Sequence, residues 1–156
     1  MSKVQAIPEG YHSITPYITV HDAKAALDYY QRAFGATVVL VMPNDKGQIS
    51  HAEIKLGDSH VMLSDEFPEW GAISPRTLKG HTSTLMFYVE DVDAVVAKAV
   101  AAGGTLVRPV ADQFYGDRVG SLTDPFGHSW HVATHKEDLT EAQLQQRMQT
   151  WSAEQN

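Results

Sequence analysis

Apolar and polar residues alternate through Ile14, Thr15, Pro16, Tyr17, Ile18, Thr19 and Val20, the period of a half-buried strand, and the run stops at Asp22, a good helix cap. A helix follows. Ala23, Ala26, Leu27, Tyr30 and Phe34 recur at three- to four-residue spacing, and Gly35 supplies the left-handed residue that ends it. The same signals return at an offset of 69 residues, with Thr84 matching Thr15 and Gly104 matching Gly35. There the strand is Thr84 to Val89 and Asp91 is the cap. Val92, Val95, Val96, Ala99 and Val100 form the stripe, and Gly103 and Gly104 end it. Each helix precedes three short strand-like segments: 37–42, 49–56 and 60–64 in the first half, 105–110, 117–122 and 129–134 in the second. The order βαβββ therefore occurs twice. Gly57-Asp58-Ser59 and Gly127-His128-Ser129 open the last strand of each half.

These patterns predict an α+β chain with one domain over residues 11–135, made of modules 11–65 and 80–135. Residues 65–79, with Phe67, Pro68, Trp70, Gly71 and Pro75, read as a long irregular connection, either a cover for a site or a plain crossover. A separate C-terminal helix is expected over 139–151, with Thr140 and Gln143 as a capping box and Leu144, Met148 and Trp151 on one side. That side needs a partner surface, on this domain or on a second subunit.

The chain has 156 residues, 43% of them hydrophobic, and a domain of this size buries about 70% of its unfolded surface. It needs no staples. It has no cysteine, which excludes disulfides, thiolate metal sites and cysteine nucleophiles and leaves His, Asp and Glu as ligands. A net charge of −7 argues against nucleic acid as a partner. With neither a signal-like start nor a membrane-length apolar run, the expected location is the cytoplasm. No Gly-rich phosphate loop, Gly-x-Ser-x-Gly elbow or His-Glu-x-x-His helix occurs.

The duplicated module resembles the vicinal-oxygen-chelate superfamily of glyoxalases, extradiol dioxygenases and bleomycin-resistance proteins. Tyr17 to Val20, Ala26-Leu27-Asp28-Tyr29-Tyr30, Phe34-Gly35-Ala36 and Asp124-Pro125-Phe126-Gly127-His128 are similar to its PhnB-like branch. The resemblance implies a curved, cavity-bearing mixed sheet, a homodimer, and a small-molecule ligand. In the family's enzymes it implies a divalent metal held by residues of the first and last strand of each module. The corresponding positions here are Thr15, Val61 or Leu63, Thr84 and His131, only one of which is a metal ligand. A Lewis-acid site needs about three protein ligands. The expectation is therefore no cofactor, and binding of a hydrophobic or aromatic compound without the usual metal set.

His51 and Glu53 alternate with Ala52, Ile54 and Leu56, so both point to one face of a strand, either the cavity or solvent. If inward, they join His131 in an alternative set of metal ligands, two nitrogens and a carboxylate, for a lyase, isomerase or dioxygenase with a displaced site. His131 is otherwise a candidate acid or base, or a structural hydrogen-bonding group. Tyr17, Met86 and Tyr88 share the parity of Thr15 and Thr84 and would line an aromatic pocket or fill a core. Arg118 is a candidate anchor for an anion, or pairs with Asp117 or Asp124. Trp70 is expected on a loop over the pocket. Asp124-Pro125-Phe126-Gly127 reads as a structural turn.

Overall fold

The computed structural model describes residues 4–155. Its elements are β1 (Tyr17–Thr19), α1 (Ala23–Phe34), β2 (Thr37–Pro43), β3 (Ile49–Leu56), β4 (Ser59–Ser64), α2 (Pro75–Leu78), β5 (Thr84–Tyr88), α3 (Val92–Ala101), β6 (Thr105–Asp112), β7 (Asp117–Thr123), β8 (Ser129–His135) and α4 (Glu141–Glu154). The strands form two four-stranded sheets, ordered β1-β4-β3-β2 and β5-β8-β7-β6. The first pair of each is parallel and the others antiparallel. Two tandem βαβββ modules thus build two mixed sheets.

Local chemistry sets the boundaries. Asp22 accepts a hydrogen bond from the Ala25 amide at 2.9 Å and Asp91 one from Ala94 at 3.0 Å, each satisfying an amide that the first helical turn leaves free. Gly35 closes α1 at φ 68°, a conformation costly for residues with a Cβ. β1 is shorter than its alternation suggests. It begins at Tyr17, not Ile14, because Pro16 has no amide to donate; the Pro16 carbonyl still accepts from Met62. Thr15 lies ahead of the ladder.

Register fixes the two faces of each sheet. Ile18 pairs with Leu63, and Leu63 with Ala52; all three are buried against the helices. Tyr17 pairs with Met62, Met62 with Glu53, and Glu53 with Leu40, so these four share the opposite face. Val61 and Leu63 consequently belong to the core. The positions of β4 on the open face are His60 and Met62, which corrects the sequence assignment. The reason is that the central strand β4 is apolar on both sides and gives no alternation from which to read parity.

In the second sheet Leu85 pairs with Trp130 and Phe87 with Val132, while Met86 pairs with His131 and Tyr88 with Ala133. Trp130 and Val132 are buried. Both modules contribute to one continuous core in which Tyr30, Phe34, Phe126 and Trp130 meet. The Tyr29 hydroxyl donates to the Ala99 carbonyl at 3.1 Å, tying α1 to α3. The helix-packed sides of both sheets thus close on one interior, and the other sides face outward.

α4 begins with the expected capping box of Thr140 and Gln143. Trp151 lies against Phe114 with ring centroids 5.4 Å apart, and Arg147 reaches the Phe114 carbonyl and Glu137. Leu144, Met148 and Trp151 stay partly exposed. No helix among the described residues is long and apolar enough to cross a membrane.

Candidate functional site

The open face of the first sheet carries a chain of hydrogen bonds. Tyr17 Oη lies 2.9 Å from His51 Nδ1, and His51 Nε2 lies 2.9 Å from Glu53 Oε1. The second oxygen of Glu53 accepts from the Tyr11 hydroxyl. The hydrogen bond from His51 and then that from Tyr11 hold the Glu53 carboxyl below the usual range, so it is an acceptor only. With Glu53 accepting, His51 Nε2 is the donor of this pair, which leaves Nδ1 to accept from the Tyr17 hydroxyl. Tyr11 stacks on His60 with centroids 3.8 Å apart. His51 and Glu53 are mostly covered, with side chains 24% and 13% exposed, whereas Tyr17 at 52% ends the chain in the open.

The second module carries a related arrangement. Tyr88 donates to Asp117 at 2.7 Å, the other Asp117 oxygen accepts from His135 Nδ1 at 2.7 Å, and His135 Nε2 donates to Asp138 at 2.9 Å. With a carboxylate on each nitrogen, first Asp117 and then Asp138, the imidazole is raised above its ordinary value. The bond to Asp117 also raises the Tyr88 phenol.

Between the modules lies a cavity of about 530 Å³, bounded by Ile14, Pro16, His60, Met86, Tyr88 and Trp130 among others. This is within the range of roughly 300–1,000 Å³ typical of small-molecule sites. His60 is buried, and its Nδ1 has no hydrogen-bond partner. A neighbouring hollow of about 250 Å³ takes in Tyr17, Leu78, His81, Leu85 and His128.

The residues named from sequence divide among these places. Tyr17, His51 and Glu53 come together; Met86 and Tyr88 join the inter-module cavity. His131 stands on β8, paired with Met86 and Ser121, in the other sheet from His51 and Glu53. Among the described residues no group of three His, Asp or Glu side chains is arranged to hold a metal ion, and the alternative triad does not assemble. Thr84 bonds Ser129 at 3.1 Å. Arg118 binds Asp93 of α3 through two nitrogens at 2.7 and 2.8 Å and Asp112 at 3.2 Å, so its partners are neither Asp117 nor Asp124, and the guanidinium is engaged. Trp70 is 75% exposed and lies tilted against Phe67, with ring centroids 5.2 Å apart. It is the last residue of a 3₁₀ turn at Pro68–Trp70.

Tyr11 and His60 were not legible as site residues. Tyr11 precedes the first strand and meets Glu53 across 42 positions. His60 is the second residue of β4, inside a segment that reads as strand with nothing to mark it as a site residue. The one usable signal was parity: His60 lies two residues from Met62, the partner of Tyr17.

A family model for the glyoxalase/bleomycin resistance protein/dioxygenase superfamily matches residues 10–132. The Mycobacterium bovis protein Mb0911c is 34% identical over 139 residues, 87% of this chain and 91% of that one. Among solved structures, TioX from Micromonospora sp. ML1 superposes with a TM-score of 0.64 at 28% identity, over 80% of this chain and 98% of TioX. The At5g48480 product of Arabidopsis thaliana gives 0.63 at 28% identity over 78% and 98%. A PhnB protein from Bacillus cereus gives 0.61 at 21% identity over 79% and 99%, a likeness of fold. With two βαβββ modules, their shared interior and the family match over most of its length, this chain belongs to the glyoxalase/bleomycin resistance protein/dioxygenase superfamily.

Proposed function

We propose that this protein binds a small hydrophobic or aromatic molecule in the cavity between its modules. The observation that supports it is the cavity itself, about 530 Å³ between the modules, with apolar surface from Ile14, Met86 and Trp130 and with His60 at its wall. Apolar walls supply the affinity and the histidine the orientation.

A second copy of the chain belongs to this reading. Tyr17, Leu40 and Met42 on the open face of the first sheet and Met86 and Tyr88 on that of the second are all more than 40% exposed, and exposed apolar surface of this kind supports an interaction site. A homodimer covers such faces twice with the same residues.

The test is native mass spectrometry of untagged protein for a co-purified compound, together with titration of a planar probe, 1-anilinonaphthalene-8-sulfonate, into wild type and His60→Ala. Saturable binding near one probe per chain, weakened in the variant, is the expected result. A probe that fails to saturate, or binds both proteins equally, refutes the cavity as the site.

A further inference from the structure

We propose that the free edge of β5 is a peptide-binding site, at which a short extended peptide with apolar side chains adds as a strand inside the inter-module cavity. This rests on that cavity being where a ligand binds, and it names the class of molecule the cavity takes.

The direction of the main chain carries the inference. In the order β5-β8-β7-β6, β5 is an edge. The Val89 amide donates to the Ala133 carbonyl at 2.8 Å, and the parallel register continues with Phe87 beside Val132 and Leu85 beside Trp130. Successive residues of a strand turn their N–H and C=O groups to opposite sides. Leu85, Phe87 and Val89 therefore bond β8, and Met86 and Tyr88 turn theirs to the edge. Leu85 to Tyr88 border the cavity of about 530 Å³, with Ile14 and Pro16 among the residues that face them. Among the described residues no main-chain hydrogen bond joins Met86 or Tyr88 to that facing segment, and Pro16 has no amide to give.

The other edges are protected. β1 is three residues long, and its Thr19 carbonyl accepts from His128 Nε2 at 2.9 Å. β2 and β6 carry shifts of register, and β6 contains Pro109. Short length, bulges and proline are the means by which edges avoid pairing. β5 has neither a proline nor a shift of register.

Two donor–acceptor pairs on alternate residues match the main chain of an extended peptide, which gains affinity from the ladder and specificity from pockets for its side chains. Ile14, Phe87 and Trp130 offer apolar walls for those side chains. Asp58 borders the cavity, and no Lys or Arg among the described residues does, so the site favours an internal or blocked segment over a free carboxylate.

The probe is the blocked tetrapeptide acetyl-Val-Phe-Val-Thr-amide, with two analogues N-methylated at alternate residues, so that only one of them loses the amides facing β5. Binding is read by calorimetry and by hydrogen exchange of single amides in isotope-labelled protein. In the protein alone Met86 and Tyr88 should exchange faster than Leu85 and Phe87. The peptide should bind once per chain and slow Met86 and Tyr88 about tenfold or more, leaving the other two unchanged. One analogue should bind within about twofold of the parent and the other about tenfold or more weakly, through lost ladder bonds. Met86→Pro removes an outward amide at a position where an edge strand tolerates proline; it should keep 1-anilinonaphthalene-8-sulfonate and lose the peptide. Should this variant not fold, the wild-type measurements decide by themselves. If the peptide fails to bind while 1-anilinonaphthalene-8-sulfonate saturates, strand addition is overturned and the cavity stands; if neither binds, both fall. Equal binding of the two analogues, or exchange at Met86 and Tyr88 that the peptide does not slow, also overturns it. Protection of both amides without peptide, growing with protein concentration, assigns the edge to a second copy instead.

Discussion

Tyr30 on α1 donates a hydrogen bond of 2.6 Å to Asp124, which follows β7, and so joins the two modules across 94 residues. The same carboxylate accepts from Trp130 Nε1 at 2.9 Å, and through its other oxygen from the amides of Phe126 and His128 at 2.9 and 3.0 Å. One buried side chain therefore shapes the Asp124–Gly127 turn and anchors the neighbouring module. Burial first, and then the charge of Asp124, push the Tyr30 phenol well above its ordinary value, so it donates throughout the working pH range.

Removing the acceptor should cost more than removing one donor. Tyr30→Phe leaves Asp124 three donors and should destabilise by about 1–3 kcal/mol, whereas Asp124→Ala strands the Tyr30 and Trp130 donors and should cost about 3 kcal/mol or more. Urea denaturation of both variants checks the order, and equal losses would contradict it.

Gly116 should resist substitution. Its φ is +95°, and a Cβ built there would lie 2.6 Å from the Glu137 carbonyl oxygen, while its own carbonyl accepts from the Lys136 and Glu137 amides. Gly116→Ala should lose about 1–3 kcal/mol from backbone strain alone, seen as a lower melting temperature. An unchanged melting temperature would mean that the chain leading to α4 yields freely.

His135 should give a pH-dependent contribution to stability. Its folded value is raised by Asp117 and then Asp138, so the contribution is complete below the unfolded value of about 6.5 and fades as pH rises through the folded value. Melting curves of wild type and His135→Gln should differ most below pH 6 and converge in alkaline buffer. The sign is opposite for Glu53, whose lowered value confers stability above about pH 4.3 that is lost as acid protonates it. Glu53→Gln should flatten that acid limb.

The outward strand faces should hold two copies together. Sedimentation should give twice the chain mass of 17.2 kDa, and Leu40→Asp, which places a charge on an exposed apolar position of β2, should shift the protein towards monomer without unfolding it. A wild-type mass of one chain at all concentrations refutes the dimer.

The helices and their stops were legible because Asp22, Asp91 and Gly35 act on adjacent backbone groups, and local chemistry is written locally. The parity of Tyr17 against Ile18, and of Met86 against Phe87, followed from alternation in strands with one open side. β4 defeated the same reading, since Val61 and Leu63 pack beneath it while Met62 is apolar on the other side. The links that build the candidate sites were hidden for another reason. Tyr11 to Glu53 and Tyr17 to His51 span 42 and 34 positions, and Arg118 finds Asp93 across 25; no spacing rule connects such partners before the sheets are assembled.

The shared interior also separates two kinds of sequence freedom. Because α1, α3 and the inward strand residues of both modules lock into one body, a change at Tyr30, Asp124 or Trp130 is felt by the whole chain and is constrained accordingly. The outward positions of the same strands, Met62, Met86 and His131 among them, lie outside that interior, so exchanges there should cost less stability than exchanges within it. Duplication thus left this protein two surfaces on one scaffold, each able to drift towards a new chemistry while the other keeps its own.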